Sequence, residues 1–247
     1  MINFETIRNY CRLLPGLWRL ASVRYPKKYV FLQNWTSLGG SAVERESWII
    51  NFTCNKRVLH IGFLDSPFTA ERVAKGQLLH LKLRNSAAYV FGVDIDNKAL
   101  DLYRKTTKDY ENACLDISAA TEGHFKQEFD VILFGEVLEH LVEPFAALKN
   151  LRLICLSNRG CELCVTVPNA YSLAAFVACL NGEELVHPDH YFYFSPNTLA
   201  HLLKAAGFEM KSMWLYAGPA LLKTPGLTKH GLIAVSVPAS QFTDRLV

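Results

Sequence analysis

The sequence predicts an α/β fold: a doubly wound, mostly parallel seven-stranded sheet with an antiparallel C-terminal hairpin and an N-terminal helical cap. Three observations point there. From Arg57 onward, short apolar runs alternate with helical stretches. Those runs are apolar on both faces, as parallel strands covered by helices on each side must be. The last two strand-like runs are joined with no helix between them, which makes an antiparallel pair the simplest reading.

The elements follow in order. Residues 1–40 read as a separate basic cap segment, with Arg8, Arg12, Arg19, Arg24, Lys27 and Lys28 against the single acid Glu5. Ile7, Cys11, Leu14 and Trp18 recur there at helical spacing, although Pro15-Gly16 breaks any single helix. Leu38-Gly-Gly-Ser41 reads as the hinge to the main domain, residues 41–247. Val58–Ile61 is the first strand, stopped by Gly62, and Tyr89–Val93 the second, stopped by Asp94. A weaker third lies near Ala113–Leu115, ahead of Asp116. Phe129–Phe134 and Leu163–Val167 are the fourth and fifth. Helical stretches at Lys98–Lys105 and Pro144–Arg152 separate them. Ser195-Pro-Asn-Thr starts a helix, with Ser as N-cap and Pro in the first turn, and Gly207 ends it. Phe208–Tyr216 and Leu232–Val237 form the closing pair, expected on the sheet edge.

The chain has 247 residues, half of them hydrophobic, enough for a real core. Charged residues are 20% of the chain, which excludes a disordered tail. The formal net charge of +3 neither demands nor forbids a nucleic-acid partner. No apolar run reaches the roughly 18 residues of a transmembrane span. Glu5, Arg8 and Arg12 interrupt the place of a signal-peptide core, so a cytoplasmic protein is expected. Contact with an anionic membrane surface would fall to the basic cap. Seven cysteines at irregular spacing fit a reducing compartment. Cys161 and Cys164 have metal-like spacing, but three apart on a strand they point to opposite faces.

In an open parallel sheet, ligands bind beyond the carboxyl ends of the strands. Gly62 lets the backbone come close to a ligand there. Asp94 can accept both hydroxyls of a ribose, and Asp116 can meet an adenine amino group. A purine nucleoside suits that set.

These residues resemble the class I S-adenosylmethionine-dependent methyltransferases, over roughly residues 43 to 238. Val58-Leu-His-Ile-Gly62 is similar to the family's first motif, and Phe91-Gly-Val-Asp-Ile-Asp96 to its second. The resemblance places Asp94 on the ribose, Ile95 beside the adenine and Asp116-Ile117 at the adenine edge. Phe129–Leu141, Val167-Pro-Asn169 and His187–Ser195 resemble the branch of quinone-biosynthesis O-methyltransferases. It implies a Rossmann-like fold, S-adenosylmethionine as cofactor, Glu136 assisting that cofactor, and His187 and His190 facing the reaction centre. One departure stands out. The family's first loop reads Asp-x-Gly-x-Gly-x-Gly, whereas this chain has His60, Gly62, Leu64 and Ser66. Leu64 and Ser66 must avoid positive φ or accept strain. Either the loop takes another path, with Asp65 turning toward the cofactor's ammonium, or cofactor binding is weakened.

A second constellation follows the fourth strand. A helix beginning near Glu136 would place Glu136, Glu139 and His140 on one face of one turn. Two carboxylates and an imidazole suit Mg²⁺, Mn²⁺ or Zn²⁺. The arrangement is similar to the metal site of small-RNA 2′-O-methyltransferases, which would make His190 the fourth ligand. Three functions follow: methyl transfer to a hydroxyl of a small or medium acceptor (a sugar, a phenol or a natural-product intermediate), metal-assisted 2′-O-methylation of RNA, and a degenerate cofactor-fold binding module. Tyr171–Glu184 and the first 40 residues are expected to wall the acceptor side.

Overall fold

The computed structural model describes residues 42–218 and 229–240. The cap proposed for residues 1–40 lies outside them. The sheet has eight strands: β1 (Ala42–Val43), β2 (Arg57–Ile61), β3 (Tyr89–Asp94), β4 (Asn112–Cys114), β5 (Val131–Gly135), β6 (Glu162–Pro168), β7 (Phe208–Tyr216) and β8 (Gly231–Pro238). Their order across the sheet is β1-β7-β8-β6-β5-β2-β3-β4. Only β8 runs against its neighbours, β6 and β7. The closing pair is therefore antiparallel as expected, but β8 lies inside the sheet and not at its edge. The eighth strand is β1, which pairs parallel to β7 through Ala42 and Val43. Two residues carry no alternation for a pattern to detect.

The helices are α1 (Arg45–Thr53), α2 (Thr69–Ala74), α3 (Leu79–Arg84), α4 (Asn97–Thr107), α5 (Pro144–Ser157), α6 (Leu173–Leu180) and α7 (Pro196–Ala205). Their termini obey local chemistry. The Glu44 carboxylate caps α1 by accepting from Glu46 and Ser47 backbone N–H groups. Ser195 and Thr198 form a reciprocal capping box on α7, with Pro196 at its first position. Gly207, φ +86°, turns the chain from that helix into β7.

Alternate residues of the central strands feed two cores. On β5, Ile132 and Phe134 join a cluster with Leu148, Leu151, Leu199 and Leu203 beneath α5 and α7. Val131 and Leu133 join the opposite cluster with Ile49 of α1 and Leu83 of α3. That is the double burial the apolar runs predict. Cys161 and Cys164 fall in opposite clusters, as expected of that spacing. Among the described residues, no helix is long and apolar enough to cross a membrane.

The strands that matter for the site end together. Ile61 of β2 is in register with Val93 of β3 and with Phe134 of β5. Gly62, Asp94 and Glu136 therefore emerge side by side at one edge.

Behind that edge lies a buried ion. Asp109, after α4, is 2% exposed. It accepts from the Tyr103 hydroxyl at 2.6 Å and from Glu111 N–H at 3.0 Å, and it pairs with Arg84. Although burial works against it, these hydrogen bonds and the Arg84 charge hold its carboxyl well below the usual range. Asp109→Asn should therefore destabilise the domain by about 3 kcal/mol at pH 7, the low end for a buried pair because Arg84 reaches solvent. A depressed carboxyl stabilises above its unfolded pKa, so the gap between parent and variant should be full above about pH 4 and shrink below it. Urea unfolding of both proteins across that range checks the sign.

Candidate functional site

A cavity of about 560 Å³ opens at the shared strand edge. Gly62, Asp94, Ile95, Asp116 and Ile117 line one part of it, and Glu136, Val137, His140 and His187 another. A second cavity of about 330 Å³ adjoins it, sharing Gly62, Leu64, Asp65 and Glu136 and adding Arg45, His60 and Arg72. Most residues singled out by sequence thus meet in one trough. Glu139 and His190 are not among its lining residues.

Asp94 is 8% exposed and ends β3. Burial raises its pKa, opposed by hydrogen bonds from Asp96 and Leu64 backbone N–H groups at 3.0 and 2.9 Å. The Leu64 contact shows how the loop without those glycines is held. Neither Leu64 nor Ser66 has positive φ, so the backbone avoids strain at both, and Asp94 pins the loop. Asp65 does not wait free for an ammonium, because its carboxylate pairs with Arg72 at 2.6 Å. Gly62 remains obligatory. Its φ is +67°, and a Cβ there would sit 2.1 Å from Val137 Cγ2. Ile95, 69% exposed, offers an apolar face to the trough. Asp116 caps the turn at Ile117–Ala119 through Ser118 N–H, 2.8 Å, and still lines the cavity.

Glu136 departs from expectation. It is not in a helix: its φ is +54°, and a single 3-10 turn, Leu138–His140, follows it. Its side chain turns toward β6 and β7. Thr166 Oγ1 donates to it at 2.7 Å and the Tyr216 hydroxyl at 3.0 Å, and Arg45 Nε lies 3.7 Å away. Arg45 also donates to Thr166 Oγ1. Sequence reasoning missed Arg45 and Tyr216, which carry no motif. Thr166, the one polar residue in the apolar run Leu163–Val167, was the available signal.

The expected one-face set of Glu136, Glu139 and His140 is therefore not formed. What comes together is His140, His187 and His190, with ring nitrogens within 4.8 Å of one another. His140 packs edge-on against His190 at 4.5 Å. Its Nδ1–H donates to the Asp189 carbonyl at 3.2 Å, which leaves Nε2 as a bare lone pair. His187 Nδ1 accepts from Asp189 N–H at 3.3 Å. Burial and the neighbouring His140 and His187 lower the pKa of His190. Glu139 is buried, and neither carboxylate oxygen has a hydrogen-bond partner among the described residues. Burial, with the Glu136 charge beside it, pushes its carboxyl up to about 8.

With this geometry in hand, comparison with known proteins is decisive at one level. The methyltransferase-domain family matches residues 73–212, more than half the chain. The chain belongs to that family. The ubiquinone biosynthesis O-methyltransferase of Ruegeria sp. (strain TM1040) is 27% identical over 160 residues, 59% of this chain and 63% of that protein. The match thus spans less than two thirds of that relative. Among solved structures, the CcbJ methyltransferase of Streptomyces caelestis is similar with a TM-score of 0.54 at 16% identity, covering 85% of this chain and 94% of that one. The small RNA methyltransferase HEN1 also gives 0.54 at 16%, covering 81% of this chain and 26% of that one. The N-methyltransferase NodS of Bradyrhizobium japonicum WM9, solved with S-adenosyl-L-homocysteine, gives 0.50 at 15%, covering 80% and 86%. Such identities show the shared fold, that of a class I methyltransferase domain.

The trough of this methyltransferase domain fits the family's cofactor. It joins an apolar surface at Ile95 and Ile117, a strand-end carboxylate at Asp94, a glycine that leaves no room for a Cβ, and the paired charges of Asp65 with Arg72 and Glu136 with Arg45. Glu136 supplies a clean test of local strain. A left-handed non-glycine residue costs about 1–2 kcal/mol. Glu136→Gly and Glu136→Ala both lose the side-chain contacts, but the glycine variant should be the more stable by about 1 kcal/mol. Equal melting temperatures would show that the backbone there is unstrained.

Proposed function

We propose that this domain transfers the methyl group of S-adenosylmethionine to a hydroxyl of a small or medium-sized acceptor. The observation that carries this reading is a single cavity running from Asp94 and Ile95 to His140 and His187. The cofactor supplies a methyl group already activated on sulfonium sulfur. The chain then aligns an acceptor oxygen with that carbon, and such alignment lowers a barrier by up to about 7–11 kcal/mol.

Asp94 holds the ribose, Ile95 and Ile117 flank the adenine, and Asp116 meets its edge. Glu136 stands beside the amino-acid end. His140 Nε2, bare because Nδ1–H is engaged by Asp189, takes the hydroxyl proton as the methyl group is accepted. His187 and His190, which the sequence favours for this task, flank His140 and complete the basic cluster. Exposed apolar side chains, Tyr171, Phe176, Leu185 and Tyr191, lie along the adjoining chain. They suit a sugar ring or a phenol better than a polyphosphate, as does the relative named as an O-methyltransferase.

A second reading shares the acceptor chemistry but adds a metal. Three imidazoles within 4.8 Å of one another suit Zn²⁺ or Mn²⁺ better than Mg²⁺, which prefers oxygen ligands. His140, His187 and His190 would hold the ion, and it would supply Lewis acidity that lowers the hydroxyl pKa. RNA 2′-hydroxyls belong to this reading.

Methyl transfer from labelled cofactor to sugars, phenols and RNA ends tests the proposal. Asp94→Ala should weaken S-adenosylhomocysteine binding by roughly ten- to a hundredfold, the loss of a hydrogen bond to a charged group. Unchanged affinity by calorimetry would remove Asp94 from the site. His140→Ala should cost about 10²–10⁴-fold in rate with cofactor affinity retained. Chelation leaves activity intact if His140 is the base; loss on chelation, restored by Zn²⁺ or Mn²⁺, would establish the metal reading instead.

A further inference from the structure

The first motif of this chain carries His60 where the family pattern has an acid, and His60 belongs to a buried chain that the reading above does not use. His60 lies on β2 between Gly92 and Leu133. It is 4% exposed and lines the smaller cavity. Its Nδ1 lies 3.3 Å from Nδ1 of His80, which is fully buried on α3. His80 Nε2 in turn faces Asp109 Oδ2 at 3.7 Å, longer than a hydrogen bond but close enough for charge to decide a proton's position. The rings are clamped. Phe63 packs on His80 at 4.3 Å, and Gly92 leaves no room for a Cβ, which would meet Phe63 Cε1 at 2.6 Å.

The proton positions then follow. Asp109 is an anion, fixed by Tyr103 and Arg84. A bare lone pair facing it would be repelled, so His80 carries its hydrogen on Nε2 and its Nδ1 is an acceptor. Two imidazole nitrogens 3.3 Å apart need one donor, so His60 donates from Nδ1. Its Nε2 is left bare. Both rings are taken as neutral: burial above all pulls each below the ordinary imidazole value, aided by His80 and Arg45 at His60 and by Arg84 at His80, where Asp109 opposes it. No described residue donates to His60 Nε2. In the same cavity the two carboxylates already have cations: Glu136 has Arg45 and Asp65 has Arg72. Among the described side chains that line this cavity, His60 Nε2 is an acceptor with no donor.

We propose that the buried Asp109–His80–His60 chain fixes the tautomer of His60 so that its bare Nε2 accepts a hydrogen bond from the α-ammonium of the cofactor's amino-acid arm. This rests on the cofactor reading above and makes the smaller cavity the seat of that arm. His60 is the contacting residue; His80 and Asp109 are positioning residues.

Two measurements on the full chain test it. Nitrogen-15 NMR of histidine-labelled protein should show His60 protonated at Nδ1 and bare at Nε2 in the free state. Its Nε2 resonance should move on addition of S-adenosylhomocysteine. Calorimetry should compare that ligand with an analogue lacking the α-amino group. His60→Phe should weaken S-adenosylhomocysteine by at least tenfold and leave the analogue unchanged. His80→Phe should reproduce that ammonium-specific loss by freeing the His60 tautomer. A His60 proton on Nε2 in the parent, or equal losses on both ligands, overturns the proposal while the cofactor reading stands. A parent that binds neither ligand overturns the cofactor reading and this proposal with it. The NMR result on the parent decides the matter even if the variants fail to fold.

Discussion

β2, β3 and β5 are parallel and in register, so three chains leave the sheet at one level, through Gly62, after Asp94 and through Glu136. With both faces of these strands buried under helices, that edge is the place where polar side chains from distant parts of the sequence can meet water and one another. The backbone reinforces the convergence. Gly62 N–H donates to Val93 O at 2.8 Å, and Glu136 N–H to Thr166 O at 2.8 Å. Both exit residues take positive φ. The two chains are thereby bent away from their strand directions, and the trough is the space they leave.

The cost of gathering charge at a half-buried edge is visible residue by residue. Glu136 has Arg45 beside it and two hydroxyls donating to it. Glu139, three residues on, has no such partners among the described residues and is pushed toward the protonated form by burial and by Glu136 itself. Only one of the two acids can be ionised cheaply. The arrangement therefore separates groups that a linear motif would merge: Glu136 lines both cavities, whereas His140 and His187 line only the larger one.

The parts legible in the sequence are those that rest on burial and turn chemistry. Apolar runs gave the central strands to within a residue or two, and Ser195-Pro196 gave a helix start, because both signals are local. Strand-end acids at 94 and 116 were readable because the sheet rule says where to look. What failed was geometry set by neighbours far along the chain. The Glu-x-x-Glu-His spacing invites a helical face, but Thr166, Tyr216 and Arg45 draw Glu136 out of that turn from three other elements. The position of β8 between β6 and β7 is equally invisible to periodicity, since an edge strand and an inner strand flanked by helices share the same apolar pattern here.

His60 shows how a departure from a motif can be absorbed. An acid at that place would be a further carboxylate in a trough that already holds Asp65, Asp94 and Glu136 against Arg45 and Arg72. It would also sit on a strand in register with Gly92 and Leu133, where an unpaired ion is costly. A neutral imidazole avoids that charge yet still offers a lone pair. An imidazole alone is ambiguous, because either nitrogen can carry the proton. The ambiguity is removed only if something behind it is fixed, and Asp109 is fixed by Tyr103 and Arg84 outside the trough. The charge has in effect been moved from the first loop to the far side of His80. There it sits next to a half-exposed arginine, and the loop receives hydrogen-bonding polarity without net charge.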